Sequence, residues 1–145
     1  MPRPMQQPVG LALARTAKAV SRAFDDAMTS AGGSLPIWLV LLSVKTQSAS
    51  TQRELAAAVG IQGATLTHHL NAMEADGLLT RSRNPVNRRI HQVALTTAGE
   101  HLFRQLAGVA AAFDTHLMSG LRSSDIATLK RLLQALQANA ESREP

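Results

Sequence analysis

The stretch that most constrains the fold of this chain runs from Thr51 to Thr97. It opens with Thr51-Gln52-Arg53-Glu54-Leu55-Ala56, in which Thr and Glu stand three residues apart. That spacing is a capping box: the hydroxyl meets the amide of the third helical residue and the carboxylate reaches back. Leu55, Ala58 and Val59 supply an inner face, and Gly60 turns the chain. A second helix is expected from about Gln62 to Asp76, stopped by Gly77. Leu66, Leu70 and Met73 recur at steps of four and three, which places them on one buried stripe.

The other face of that second helix carries Gln62, Gly63, Ala64, Thr65, Thr67, His68 and Asn71. An ordinary solvated helix face carries Lys and Glu. Small hydrogen-bonding side chains suit close approach to base edges in a major groove. After Gly77, Leu79 to Ser82 and Ile90 to Leu95 read as two antiparallel strands, with Val93 and Leu95 alternating with Gln92 and Ala94. Asn84-Pro85 and Asn87 supply turn chemistry at the tip. Helix, glycine turn, helix and hairpin together describe a winged helix-turn-helix. The expected fold class is mainly α with a small β-hairpin (α+β).

Charge points the same way. The net charge is +5, and between Gly77 and Ala98 there are four arginines (Arg81, Arg83, Arg88, Arg89) and no acid. A solvated face mixes signs; a one-sign cluster on a loop suits a polyanion. Only three Phe, one Trp and no Tyr are present, so base stacking on aromatic platforms is disfavoured. There is no Cys, which excludes disulfides, thiolate zinc sites and a cysteine redox switch within these residues.

The flanks read as helices. Residues 1–8 hold three prolines and are expected to form a flexible arm. Val9, Leu13, Ala17, Val20, Phe24 and Ala27 repeat at helical steps up to Ala31, where Gly32-Gly33 stop the helix. Ser34 is a candidate cap for a helix that is apolar all round from Ile37 to Leu42, and therefore central. Thr97 and Glu100 repeat the capping-box spacing ahead of Leu102, Leu106, Val109, Phe113 and Leu117. A last helix is expected near Ser123, with Ile126, Leu129, Leu132, Leu133 and Leu136 on its apolar face. The expected organisation is one domain over 9–141, with a DNA-binding lobe at 34–97, dimerisation helices at 9–31 and 97–141, and a frayed tail at 142–145. The terminal helices carry more apolar face than one small lobe can cover, which suits a symmetric dimer. The longest apolar run, Leu35 to Leu42, is far short of the roughly 20 residues that span a bilayer, and no targeting segment is evident. The expected location is the cytoplasm.

At this point the sequence resembles the MarR family of transcriptional regulators. Gly60-Ile61-Gln62-Gly63-Ala64-Thr65-Leu66-Thr67-His68-His69-Leu70-Asn71-Ala72-Met73-Glu74-Ala75-Asp76-Gly77-Leu78-Leu79-Thr80-Arg81 is similar to the family's recognition helix, leucine-rich turn and first wing strand. Asn84 to Gly99 resembles its wing, and Leu121 to Ile126 leading into Leu129 and Leu133 resembles its last helix. Asn84 and Asn87 depart from the pattern by replacing two acids. The acid matching Asn87 usually braces the arginine matching Arg89, and Asn can accept that bond only without charge assistance. Gln62 stands where a serine cap is common, and His68 where arginine is common.

The resemblance implies a homodimer on a near-palindromic double-stranded operator. It implies Arg89 in a minor groove, and Gln62, Thr65, Thr67 and His68 at base edges. Gly63 and Ala64 would allow close approach, Arg53 and Asn71 would meet phosphate, and Arg81, Arg83 and Arg88 would meet phosphate or flank the wing. It further implies a repressor released by a small aromatic or anionic ligand, bound between the first, second and fifth helices and the DNA-binding lobe. Trp38, Leu42 and Phe113 would form the apolar wall there, with Arg15 or Lys45 as counter-charge.

Other readings carry less support. Five histidines (His68, His69, His91, His101, His116) raise a metal sensor, but no pair has ligand spacing beside an acid. No phosphate loop, nucleophile elbow or paired carboxylate suggests an enzyme, and no cofactor is expected. A winged helix that contacts only protein is the runner-up, although such a module has no need of four unopposed arginines on its hairpin.

Overall fold

The computed structural model describes residues 6–46, 51–87 and 91–142. The order of elements is α1 (Val9–Ser30), α2 (Leu35–Thr46), α3 (Gln52–Val59), α4 (Gly63–Ala75), β1 (Leu79–Arg83), β2 (His91–Leu95), α5 (Thr97–Leu117) and α6 (Ser123–Glu141). This is the expected mainly α architecture with one hairpin. The chain divides into two compact units, residues 1–111 and 112–145.

In the first unit, α2 is the centre. It packs on α1, α3, α4 and β2. Its Trp38, Val40 and Leu41 are buried together with Met28 of α1, Leu55 of α3, and Leu66, Leu70 and Met73 of α4. Leu79, Val93 and Leu106 close the same core. Full burial of each such side chain contributes roughly 1.5–3 kcal/mol. Ser34 caps α2 by accepting from the Ile37 amide at 3.2 Å, and the Asp25 carboxylate accepts from the Leu35 amide at 2.8 Å.

Local chemistry sets the boundaries. The Thr51 hydroxyl accepts from the Glu54 amide at 3.2 Å. Gly60 ends α3 at φ +76°, a left-handed conformation that suits glycine, and Gly77 does the same after α4 at φ +74°. The hairpin pairs antiparallel, Leu79 with Leu95 and Arg81 with Val93. An isolated bridge joins Thr51 to Gln92, tying the start of α3 to the second strand.

Two local expectations are corrected. Ala58 is exposed and Ala56 packs against the core in its place, because the helix turns Ala56 towards its neighbours. The cap of α5 is Thr96 rather than Thr97. The Thr96 hydroxyl accepts from the Gly99 amide at 3.1 Å while donating to the Gly77 carbonyl at 2.6 Å. Glu100, freed from a capping role, reaches Lys45 of α2 at 2.9 Å.

The second unit contains the end of α5 and α6. Gly120, at φ +81°, breaks the chain between them. The Asp125 carboxylate accepts from the backbone N of Arg122 at 3.0 Å and from its Nε at 3.1 Å, closing the first turn of α6. Leu129, Leu132, Leu133 and Leu136 of α6 remain exposed, as do Val9, Leu11 and Leu13 of α1 in the first unit. Among the described residues, no single helix is long and apolar enough to cross a membrane.

Candidate nucleic-acid interface

The geometry of α4 follows from its stripe. With Leu66, Leu70 and Met73 at 1% exposure or less, the helix cannot roll, and its opposite face is fixed towards solvent. Gln62, Gly63, Ala64, Thr65, His68 and Asn71 are all exposed there. Thr67 is half-buried, and its hydroxyl donates back to the Gly63 carbonyl at 2.9 Å. Gln62 occupies the N-cap position without a side-chain bond into the first turn. The amides at the start of α4 therefore keep the positive end of the helix open to an anion. The His68 and His69 rings meet edge to face at 5.8 Å between centroids. Among the described residues, no three His, Cys, Asp or Glu side chains gather as a metal site.

The remaining cations fall in different settings. Arg53 is exposed in the first turn of α3, and Arg83 is exposed at the end of β1. Arg88 and Arg89 lie outside the described residues. Ahead of them, Asn84 shapes the turn: its Oδ1 accepts from the amides of Val86 at 2.8 Å and Asn87 at 3.1 Å.

Arg81 is placed differently from Arg83. Its Nε donates to Glu74 Oε2 at 3.2 Å, and its Nη2 donates to Glu74 Oε1 at 3.3 Å and to Asn71 Oδ1 at 2.5 Å. The backbone N of Arg81 also donates to Glu74 Oε2, at 3.1 Å. The side-chain hydrogen bond from Arg81 holds the Glu74 carboxyl below its ordinary value, against the opposing effect of partial desolvation. Two of the residues expected to contact DNA singly, Asn71 and Arg81, are thus bonded to each other across α4 and β1. Sequence reasoning missed Glu74. Its seven-residue separation from Arg81 spans a helix end and a turn, so no helical spacing marks the pair.

The residues expected to line an effector site are also distributed. Trp38 stacks on Phe103 with centroids 5.6 Å apart and planes 8° from parallel. Lys45 Nζ lies 5.7 Å from the Phe103 centroid while paired with Glu100. Leu42 is half-buried beside this core and Arg15 is exposed on α1. Phe113 is half-buried and belongs to the second unit. Phe103 was not anticipated, although its place on the α5 stripe beside Leu102 and Leu106 was a usable signal.

Comparison with known proteins bears on this arrangement. The MarR family model matches residues 34–91. The crystal structure of transcriptional regulator PA3341 is 32% identical, covers 94% of this chain and is itself covered over 100% of its length, with a TM-score of 0.79. The chain belongs to the MarR family. The transcriptional repressor CouR, solved bound to a 23-mer DNA duplex, is 25% identical with a TM-score of 0.82, over 90% of this chain and 92% of that one. Bordetella bronchiseptica BpsR, whose DNA binding is regulated by 6-hydroxynicotinic acid, is 23% identical with a TM-score of 0.80, over 90% of this chain and 99% of that one. In this MarR-family chain, the matched segment begins at the α2 cap, contains α2, α3, α4 and β1, and ends at the first residue of β2.

Proposed function

We propose that this protein is a sequence-specific double-stranded DNA-binding transcriptional regulator acting as a homodimer on a near-palindromic operator. The observation that carries the reading is the outer face of α4. It is exposed, small and free of charged side chains from Gln62 to His68, above a stripe that is fully buried. Thr65 and His68 would meet base edges, while Gly63 and Ala64 let the helix approach. Arg53, Arg83 and Arg88 would neutralise phosphates, and Arg89 would enter the adjacent minor groove. The exposed leucines of α6 and the apolar start of α1 would be covered by the second copy, placing the two recognition helices about one turn, roughly 10 bp, apart.

The test is selection of bound fragments from genomic DNA, followed by anisotropy titration of the enriched site. The selected fragments should share a near-palindrome. With six to ten phosphate contacts, affinity should fall by about 10³–10⁵-fold between roughly 50 and 200 mM salt. A flat salt response, or fragments without a common site, would reject sequence-specific DNA binding.

The mode of regulation proposed is repression relieved by a small aromatic or anionic ligand. The Trp38–Phe103 stack and half-buried Leu42 offer an aromatic and aliphatic wall, and Lys45 the counter-charge. Lys45 is already paired with Glu100, so an anionic effector would have to exchange with that carboxylate. Arg15, exposed on α1, is the unpaired alternative among the cations named for this role. A melting-temperature screen with pyridine and phenolic carboxylic acids tests this. A binder raises the melting temperature in a concentration-dependent way and lowers operator affinity, and a broad set without either effect argues against effector control of this kind.

A further inference from the structure

The Glu74–Arg81–Asn71 cluster is the one place among the described residues of the candidate interface where a cation is answered from within the chain. It joins the last full turn of α4 to the first wing strand. Arg81 donates through Nε, Nη2 and its backbone N, and all of those bonds go to Glu74 or Asn71. Its side chain is 18% exposed, whereas the Glu74 side chain is 42% exposed. The Arg81 side chain is thus the less exposed member of the pair. A carboxylate that grips a guanidinium through both oxygens occupies the fork that would otherwise grip a phosphate.

A second consequence concerns Asn71. A guanidinium can only donate, so the group facing Arg81 must be the amide oxygen of Asn71. The Asn71 side-chain nitrogen is then turned away from Arg81, on an exposed part of α4 that continues the line of Thr67 and His68 at steps of four and three. With its oxygen facing Arg81, Asn71 presents its two N–H donors on the other side of the carboxamide.

We infer that Glu74 is a positioning residue of the DNA-binding surface: it withholds Arg81 from the phosphate backbone and, through Arg81, fixes the Asn71 carboxamide with its nitrogen outward. This rests on the DNA-binding function proposed above. The device trades a sequence-independent phosphate contact for a directed one, so its loss should strengthen binding to arbitrary DNA and weaken discrimination.

The experiment compares wild type, Glu74→Gln and the double variant Glu74→Gln with Arg81→Gln. Each binds a fluorescent mixed-sequence duplex and the selected operator across a salt series. Each released arginine adds close to one phosphate contact per protomer, so the slope of log affinity against log salt should steepen by about 2 per dimer in Glu74→Gln. The ratio of operator to mixed-sequence affinity should fall. In the double variant the slope should return to the wild-type value, because the released cation is gone. If Glu74→Gln does not fold, as judged by circular dichroism, Glu74→Asp takes its place. Its carboxylate is one methylene short of spanning both nitrogens, and it should steepen the slope in the same direction. An unchanged slope in the single variant, or a steepened slope that persists in the double variant, overturns the inference. A wild-type protein with no salt-dependent binding at all fails at the earlier step, DNA binding itself, and is thereby distinguishable.

Discussion

The hydroxyl of Thr96 donates to the carbonyl of Gly77 at 2.6 Å and accepts from the amide of Gly99 at 3.1 Å, so one side chain joins the turn after α4 to the first turn of α5. The Thr96 amide donates to Leu78 O at 3.1 Å, tying the same turn a second time. The end of α4 is therefore held by the residue that caps α5.

Thr96→Val keeps the shape and removes both side-chain bonds. Loss of a helix cap costs about 1 kcal/mol, and the exposed Gly77 carbonyl can turn to water. We expect destabilisation of about that size in urea melts. A change below the error of such melts would mean that the cap contributes nothing net.

Two glycines of α5 should respond in opposite directions. A Cβ at Gly99 would overlap the Leu78 carbonyl oxygen, whereas a Cβ at Gly108 meets nothing within 4 Å. Gly99→Ala must push backbone away from backbone and should cost about 3 kcal/mol, the upper end of ordinary overpacking. Gly108→Ala removes a helix-interior glycine from open space and should stabilise by up to about 1 kcal/mol. Thermal melts of the two variants side by side check both signs, and equal shifts would contradict the packing described.

His68 and Arg83 should separate specificity from affinity. Both are exposed, one on the outer face of α4 and the other at the end of β1. His68→Ala should cost about 1–3 kcal/mol on the selected operator and little on mixed-sequence DNA. Arg83→Ala should weaken both alike and lower the salt slope by about 1 for each phosphate no longer neutralised. Anisotropy titrations on the two duplexes decide it, and interchange of these patterns would reverse the two assignments.

The Glu74 pair predicts an acid limb. Its carboxyl is held below the ordinary value of 4.5 by the hydrogen bond from Arg81. A group whose folded value is depressed contributes stability that is present above its unfolded value and lost as pH falls through the folded one. Melting temperature should therefore drop as pH falls below 4.5, and this component should be missing from Glu74→Gln. Asp125, lowered in the same direction by Arg122 from 3.8, retains its own contribution in both proteins. Superposable acid limbs for wild type and variant would show that the pair contributes nothing to folding.

Much of the fold was legible in the chain because its signals are local. The Leu66, Leu70 and Met73 spacing reports which face of α4 is buried, since helical period and side-chain chemistry suffice to define a stripe. Thr51 before Glu54, and glycine at positions 60 and 77, mark helix ends for reasons contained within a few residues. The four arginines of the hairpin are visible as composition, although Arg88 and Arg89 lie outside the described residues.

What the sequence alone determined, then, was the order of the helices, the hairpin and the outward face of α4. Tertiary structure alone decided the partners of the charges. Arg81 and Arg83 lie two apart on one strand, yet Arg81 is claimed by Glu74 and Asn71 while Arg83 is exposed. Lys45 is matched to Glu100 only because α2 and the first turn of α5 come together. The physical reason is range. Helix propensity and capping act over one turn, whereas an ion pair forms wherever folding brings two side chains within about 4 Å, and no local pattern encodes that meeting.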